Sequence, residues 1–259
     1  MIYVDEIKTT SIFGNDFVHI DFTLSPTKED LSLYKFDLHR SNDSETGFVK
    51  IADNLTEFSH ADEVDLYNIA IPFYYKVVVT KLSSGEASES KVYRHLAEKH
   101  DQYAYYISHL VKHNARVTVN NQVLLLLSRK RTGTLCPTCH DEIRKRPQQQ
   151  CETCWNTGFV GGFYTPKKVI AVYNNASGIM EKFSPSNVAE DKTPVQLWTP
   201  NYPLIQVNDL LVDTQNTRFI VTSFQPSVKQ FYLIRQTIQM QMIPKTSLLY
   251  KIPIGGDTP

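Results

Sequence analysis

Two CxxC units constrain this chain more than any other feature of its sequence. They read Cys136-Pro-Thr-Cys139 and Cys151-Glu-Thr-Cys154, lie eleven residues apart, and contain all four cysteines of the 259-residue chain. Within each unit, two intervening residues let both thiolates of a tight turn bind one metal ion, and two units complete a tetrahedral shell. The spacing therefore predicts one Zn²⁺ site with Cys136, Cys139, Cys151 and Cys154 as ligands.

A shell of four thiolates leaves no coordination position open for water, so we expect a structural site rather than a catalytic one. Disulfides are the alternative. The chain starts without a signal peptide and has no cysteine outside the cluster, however, so we expect a reducing cytosol in which thiolates bind metal. His140 follows Cys139 and could replace one thiolate, although four cysteines already complete the shell.

The residues around the ligands are those of a small folded loop. Gly158, Gly161 and Gly162 permit the sharp turns that such a loop needs, and Trp155 and Phe163 supply apolar mass beside it. A loop of this size cannot bury enough surface to fold alone. We therefore expect metal binding to provide most of its ordering free energy.

The charge balance excludes a strong global attraction to nucleic acid or to an anionic membrane. Lys and Arg together number 27, and so do Asp and Glu, which gives a formal net charge of zero. The longest apolar run, Val123–Leu127, has the length of a strand and is far too short to cross a bilayer. We expect a protein with no membrane segment and a composition rich in β-forming residues.

The first ninety-odd residues alternate strand-like runs with polar turns, which favours an all-β sandwich over residues 1–93. In Phe17–Leu24 the apolar residues Val18, Ile20, Phe22 and Leu24 share one face. Further strand-like runs cover the ranges 33–39, 48–51, 72–80 and 86–92.

This region resembles a fibronectin type III domain. The resemblance rests on the strand Tyr75-Lys-Val-Val-Val79, on the run Ser84-Gly-Glu-Ala-Ser88 with Ser90, and on Asp62 before the strand pair. It covers residues 2–93, although Phe22 stands nearest to the position where the family usually has a tryptophan in its second strand. Domains of that family are spacers and adhesion modules, and their fold alone does not dictate a function.

Residues 94–114 change period and predict an amphipathic helix that links two domains. Leu96, Tyr103, Ile107, Leu110 and Val111 recur mostly at intervals of three and four residues. On this helix His109 and His113 form an i, i+4 pair that could bind a metal. No Glu-His signature accompanies the pair, so a solvated helix face explains it better.

Residues 115–254 predict a small β-barrel into which residues 132–166, here called the cysteine segment, are inserted. Two early strands, 115–119 and 122–128, flank Asn120-Asn121 as in a hairpin. Six later strands follow the cysteine segment, and residues 255–259 form a tail. The later strands are predicted at 168–173, 195–198, 209–213, 218–224, 232–242 and 248–252. The fold class is therefore mainly β: a sandwich, a linking α-helix, and a barrel with a zinc-binding insertion.

The C-terminal half looks like the barrel of head-to-tail connector proteins of tailed bacteriophages. The resemblance rests on Asn208–Asp213, a short turn, Thr217–Val221, and the last strand through Ile243-Pro244 and Tyr250–Ile254. The exit of the second CxxC unit, Cys151–Tyr164, is similar to zinc-bearing segments of phage neck proteins. The likeness covers residues 115–254.

This resemblance implies a non-enzymatic virion protein, assembled in the host cytoplasm. It implies a subunit of the neck ring that joins portal and tail, with the fibronectin-like domain displayed outside. The implied partners are other copies of the chain in a homo-oligomeric ring, the portal or adaptor, tail proteins, and DNA in the channel. Rings of this kind form through heterologous contacts whose rotation divides a full turn.

A nucleic-acid-binding zinc protein is the alternative, because the cysteine segment is locally basic in a neutral chain. In a neck protein the same patch would line the DNA channel or meet an acidic neighbour, and a solvated charged loop also explains it. The candidate contact residues are Arg129, Lys130, Arg131, Arg144, Lys145, Arg146, Lys167 and Lys168. An enzyme is a further alternative, but no phosphate loop, nucleophile elbow or HExxH motif occurs, and Asp62, Asp65 and Asp209 have no evident pairing.

Overall fold

A computed structural model describes most of the chain. The described residues are 2–13, 16–64, 72–95, 102–139, 150–173, 195–229 and 232–254. The chain divides into two compact units. The first unit comprises 1–101, 130–148 and 158–160, and the second comprises 102–129, 149–157 and 161–259.

The first unit contains eight described strands arranged in two antiparallel sheets. One sheet has the order β1-β2-β5, and the other has the order β4-β3-β6-β7 with β8 also paired to β6. The strands are β1 Val4–Ile12, β2 Phe17–Leu24, β3 Tyr34–Ser41, β4 Val49–Ala52, β5 Ser59–Glu63, β6 Phe73–Lys81, β7 Ala87–Glu89 and β8 Tyr93–His95.

The apolar alternation of β2 places one row of its side chains in the core. Val18, Ile20, Phe22 and Leu24 are all buried, as the sequence pattern predicts. The ring of Phe22 on β2 lies 6.2 Å from that of Phe36 on β3, and both rings contact Phe58 edge-on. The two sheets of this unit therefore pack face to face around an aromatic centre.

A buried polar network also links the two sheets of this unit. Nη1 of Arg40 on β3 donates to both carboxylate oxygens of Asp62 on β5, each at 2.8 Å, and the Tyr75 hydroxyl on β6 donates to Oδ2 at 2.8 Å. Burial, followed by the negative charge of Asp62, raises the pKa of Tyr75 well above its usual range. Asp62 thus ties together three strands drawn from both sheets.

The second unit contains the helix α1, Gln102–Val117, and a closed six-stranded antiparallel barrel. The barrel order is β9-β10-β11-β14-β13-β12, and pairing of β12 with β9 closes it. Its strands are β9 Asn121–Leu127, β10 Lys167–Tyr173, β11 Val195–Pro200, β12 Leu210–Val212, β13 Arg218–Lys229 and β14 Tyr232–Met242.

The leucines of β9, Leu124–Leu127, are buried on both faces of the barrel wall. Leu124 and Leu126 belong to one apolar cluster together with Phe219 and Ile238. Leu125 and Leu127 belong to a second cluster, which also contains Leu210, Val212, Ile243 and Ile252. A strand covered on both faces needs apolar residues at successive positions, and this explains the leucine run.

The helix differs from its predicted range of 94–114. Tyr93–His95 form β8, which pairs with β6, and α1 continues to Val117. The predicted hairpin at Asn120-Asn121 is wrong, because the residues up to Val117 are helical and β9 begins with Asn121. Nδ2 of Asn121 donates to the carbonyls of Ala115 and Arg116, at 3.2 and 2.5 Å, and so caps groups that lack helical partners.

The barrel differs from its prediction at two places. β9 pairs with β10 and β12, so one strand rather than the predicted two precedes the cysteine segment. The predicted strand at 248–252 is also wrong, since Leu248–Lys251 forms a 3₁₀ turn. The hydroxyl of Ser247 accepts from the Leu249 amide at 3.3 Å and favours that turn over an extended strand.

Candidate metal centre

The four cysteines come together as one buried group. Their Sγ atoms all lie within 4.8 Å of one another, and none of the four is in a disulfide. A tetrahedral Zn²⁺ with Zn–S bonds of about 2.3 Å separates its sulfurs by about 3.8 Å. The donor set therefore fits a metal ion, and the sequence prediction that Cys136, Cys139, Cys151 and Cys154 form one group is confirmed.

Backbone hydrogen bonds hold each CxxC unit in a turn. The Cys136 amide donates to the Gly158 carbonyl at 2.9 Å, next to a β-bridge between Leu135 and Phe159. At the second unit, the Cys154 carbonyl accepts from both the amide and the hydroxyl of Thr157, at 2.9 and 2.7 Å.

Asn156 and Gly162 shape the second unit further. The Cys151 amide donates to Oδ1 of Asn156 at 3.0 Å. Gly162 has a φ of +64°, and a Cβ at this position would lie 2.6 Å from the Cys154 carbonyl oxygen. That approach is far closer than van der Waals contact permits, so Gly162 lets the chain return beside the ligand.

The start of the cysteine segment is bonded to the β2 strand and the loop after it. The hydroxyl of Thr132 accepts from the Leu24 amide at 2.8 Å, and the Leu135 amide donates to the Thr27 carbonyl at 2.9 Å. These contacts explain why residues 130–148 and 158–160 belong to the first unit, whereas the sequence prediction gave all of 132–166 to the barrel domain.

The end of the segment is packed within the second unit. Trp155 and Phe163 pack against the apolar cluster on the barrel wall that contains Leu125 and Leu127. The Tyr164 amide donates to the Ser128 carbonyl at 2.9 Å. The aromatic residues of the segment therefore serve local packing, as expected for a loop this small.

Two of the candidate nucleic-acid contacts bond to the cysteine segment itself. Nη2 of Arg129 donates to the carbonyls of Asn156 and Thr157, both at 3.4 Å, and Nζ of Lys130 donates to the Val160 carbonyl at 2.9 Å. Burial lowers the pKa of Lys130. Their charged groups therefore help to order the segment.

The structure describes three of the other basic candidates. Arg131 and Lys168 are exposed, and Lys167 is half-buried on β10. Arg144, Lys145 and Arg146 lie outside the described residues, as does His140.

The histidine pair on α1 does not acquire further ligands among the described residues. His109 and His113 are both exposed, and the His109 ring lies 4.5 Å from that of Tyr105. Within the described ranges, the four cysteines are the one group of three or more His, Cys, Asp or Glu side chains whose ligand atoms converge.

Asp209 contributes to the surroundings of the segment in a way that the sequence analysis missed. It is buried, and its carboxylate accepts from the amides of Arg129 and Gln206, at 2.9 and 2.8 Å. A carboxylate that accepts backbone amides just before a short apolar strand fixes how the chain enters that strand. The signal available in the sequence was the Asn208-Asp209 pair preceding Leu210.

Comparisons with known proteins place few limits on the chain. No family model matches it, and no curated protein matches it. A solved structure of an Fn3-like protein from Clostridium thermocellum is similar over 39% of this chain and 96% of that one, with 14% sequence identity and a TM-score of 0.29. In the described residues, no helix is both long and apolar enough to span a membrane.

Proposed function

We propose that this chain is a non-enzymatic structural protein of a tailed-phage virion: a subunit of the neck ring, stabilised by one structural Zn²⁺. The observation that carries the structural role is the buried, four-cysteine donor set. When bound, zinc would supply four strong cross-links within one short segment. Four thiolates fill its coordination shell, so the site leaves no position for a substrate or an activated water.

Zinc is favoured over other metals by the chemistry of the donors. Thiolate ligands select soft or borderline ions, and a tetrahedral four-sulfur site is typical of zinc or of an iron–sulfur centre. Hydrogen bonds between the cysteine backbone and Thr157, Gly158 and Asn156 fix the turns that bring the four sulfurs together. A compact structural zinc site fits this arrangement best.

The neck assignment rests on the resemblance of the C-terminal half, and one of its elements is present as a strand pair. Leu210–Val212 pair antiparallel with Arg218–Ile220, within the runs that carry the resemblance. Oδ1 of Asp213 accepts from the Thr217 amide at 2.7 Å and closes the intervening turn. A closed barrel with a hydrogen-bonded hairpin is a suitable unit to repeat around a ring, because it presents the same surface in every copy.

In this proposal the first unit is a fibronectin-like module displayed outside the ring, and the partners are the portal or adaptor and the tail proteins. The order of its sheets, β1-β2-β5 and β4-β3-β6-β7, is consistent with that module. None of the cysteine ligands belongs to its aromatic centre, which consists of Phe22, Phe36 and Phe58.

The test is to image the purified, zinc-loaded full chain by negative-stain electron microscopy and to measure its mass by light scattering. We expect closed rings of uniform diameter. The Cys139→Ser, Cys154→Ser double variant should give fewer or no rings, because the cysteine segment loses its metal. Wild-type protein that stays monomeric at every concentration would overturn the neck proposal while leaving the zinc site intact.

A further inference from the structure

The β13 strand carries a long edge that nothing pairs with in the described part of the chain. β13 has twelve residues, whereas its barrel neighbour β12 has three and pairs with β13 over Arg218–Ile220. The backbone bonds on that side end at Val221, which exchanges bonds with Asn208 and Asp209. Among the described strands, β13 pairs from Thr222 to Lys229 with β14 alone.

The side chains of this outer half are also without cover. Residues 222, 223, 225, 226, 228 and 229 are exposed, and only Phe224 and Ser227 are partly buried. A strand exposed on both faces and along one edge gains little from the core of its own chain. Its unpaired amides and carbonyls form a template onto which another strand can add.

An exposed apolar stripe lies next to the end of this strand. Tyr103, Tyr106, Leu110 and Val117 on α1 are spaced by three, four and seven residues, so they share one helix face, and all four are exposed. The stripe and the strand meet at Lys229, whose Nζ lies 5.3 Å from the centre of the Tyr103 ring. Tyrosine is enriched at protein interfaces because one side chain offers both apolar area and a polar tip.

We propose that the β13 edge from Thr222 to Lys229, with the adjoining helix stripe, is the surface by which a second copy of this chain binds through strand addition. The inference deepens the proposed ring function and rests on it, because a ring subunit needs one surface that receives its neighbour. The edge carries no charged residue from Thr222 to Val228 and has Lys229 at its end, so an uncharged strand of the neighbouring copy can add to it without burying a charge between Thr222 and Val228.

The same strand limits how far pairing can extend. Pro226 lacks an amide hydrogen, and the register of β13 with β14 shifts between Val221 and Ser223 and again between Ser227 and Val228. Bulges and proline bend an edge and interrupt its donors, which opposes continuous aggregation. The edge from Thr222 to Lys229 is therefore long enough for one added strand and is not suited to continuous fibre growth.

The test uses full-length, zinc-loaded protein and the double variant Ser223→Lys, Val228→Lys. Both positions are exposed, so the fold should be retained, and the added charges oppose strand addition. The matched control is Val49→Lys, Val119→Lys, which adds the same charge at two exposed positions elsewhere. Mass by light scattering and amide exchange along residues 222–229 are measured over a range of concentrations.

We expect the wild-type protein and the control to assemble, with amides of 222–229 protected in the assembly, and the β13 variant to assemble at least about tenfold more weakly. Rings that form equally well in the β13 variant would overturn this inference while the ring proposal stands. Assemblies that are open or dimeric, and are lost in the β13 variant, would support the strand addition and sink the ring. Wild-type protein that never assembles would overturn both.

Discussion

The sandwich core and the cysteine segment are ordered by different forces. In the sandwich, three phenylalanine rings from β2, β3 and the residue just before β5 meet at 5.4–6.2 Å, and apolar burial holds the sheets together. In the cysteine segment, the innermost groups are four thiols within 4.8 Å of one another. Four like-charged thiolates in that space repel unless a cation lies between them, so the segment depends on a metal where the sandwich depends on its apolar core.

The largest effect expected from this difference is on Cys154→Ser. Cys154 is fully buried, and structural zinc sites of this type contribute about 10–16 kcal/mol of binding free energy in peptides near neutral pH. We expect the variant to lose its metal, and the amides of Cys136, Thr157 and Gly161 to lose protection from hydrogen exchange. Amides of β3 and β6 should keep theirs.

Glu152→Ser is the matched control for that experiment, because Glu152 lies in the same unit but is exposed and binds no metal. It should retain full metal content. A Cys154→Ser protein that keeps one tightly bound metal per chain, with unchanged exchange in the segment, would mean that metal does not order it.

The reverse perturbation is Phe36→Ala in the sandwich. Removing this buried ring leaves a cavity between Phe22 and Phe58, and we expect the free energy of unfolding to fall by about 3–5 kcal/mol. The metal content of the folded protein should not change. The free energy of unfolding is measured by chemical denaturation, with hydrogen exchange at β3 amides as the probe. The control is Val49→Ala, at an exposed position, which should change the free energy of unfolding by less than about 0.5 kcal/mol.

The buried polar network offers a smaller perturbation of the same region. Asp62→Ala leaves Arg40 and Tyr75 without their shared acceptor, and we expect the free energy of unfolding to fall by about 2–3 kcal/mol. This is less than the loss expected for a fully buried ion pair, because Arg40 is partly exposed. Tyr75→Phe removes one hydrogen bond and should cost about 1 kcal/mol. Equal stabilities of the wild type and Asp62→Ala would show that this network contributes only to geometry.

The sequence was most informative where one physical requirement dominated. β2 and β14 have the predicted bounds, 17–24 and 232–242, because apolar alternation decides which face of a strand is buried. The four cysteines were predictable as one group because metal ligation demands that chemistry and that spacing.

Prediction failed where one residue type serves two structures. Asn120-Asn121 suits a hairpin turn as well as the link that follows a helix, and the bonds from the Asn121 side chain to the Ala115 and Arg116 carbonyls belong to the second arrangement. The 3₁₀ turn at Leu248–Lys251 depends in the same way on Ser247. The role of Asp209 depends on its contact with Arg129, eighty positions earlier in the chain, and no local pattern reports such a pairing.

The smallest expected effect is on how the stability of the sandwich depends on pH. His95 is buried, and its ring nitrogens contact the hydroxyls of Thr9 and Ser11 at 2.8 and 3.1 Å. Burial lowers the pKa of His95, and the Asp62 charge partly opposes this. As the pH falls below about 6.5, the unfolded chain therefore binds a proton at His95 more readily than the folded chain does. The contribution of this residue to stability is thus fully present above that pH and is lost below it.

His95→Gln should make the sandwich less sensitive to pH between 7 and 5, and the measurement is the difference between its unfolding free energy and that of the wild type at each pH. Loss of metal at low pH is common to both proteins and cancels in that difference. A variant whose stability falls as steeply as that of the wild type would assign the dependence to other groups, such as His60, whose pKa burial also lowers.

The metal-dependent segment is tested most directly by X-ray absorption at the metal edge, on protein purified under reducing conditions with its metal content measured alongside. The account predicts one zinc per chain, surrounded by four sulfur atoms at about 2.3 Å. Protein without metal, or a metal with nitrogen or oxygen neighbours at about 2.0 Å in place of sulfur, would contradict it.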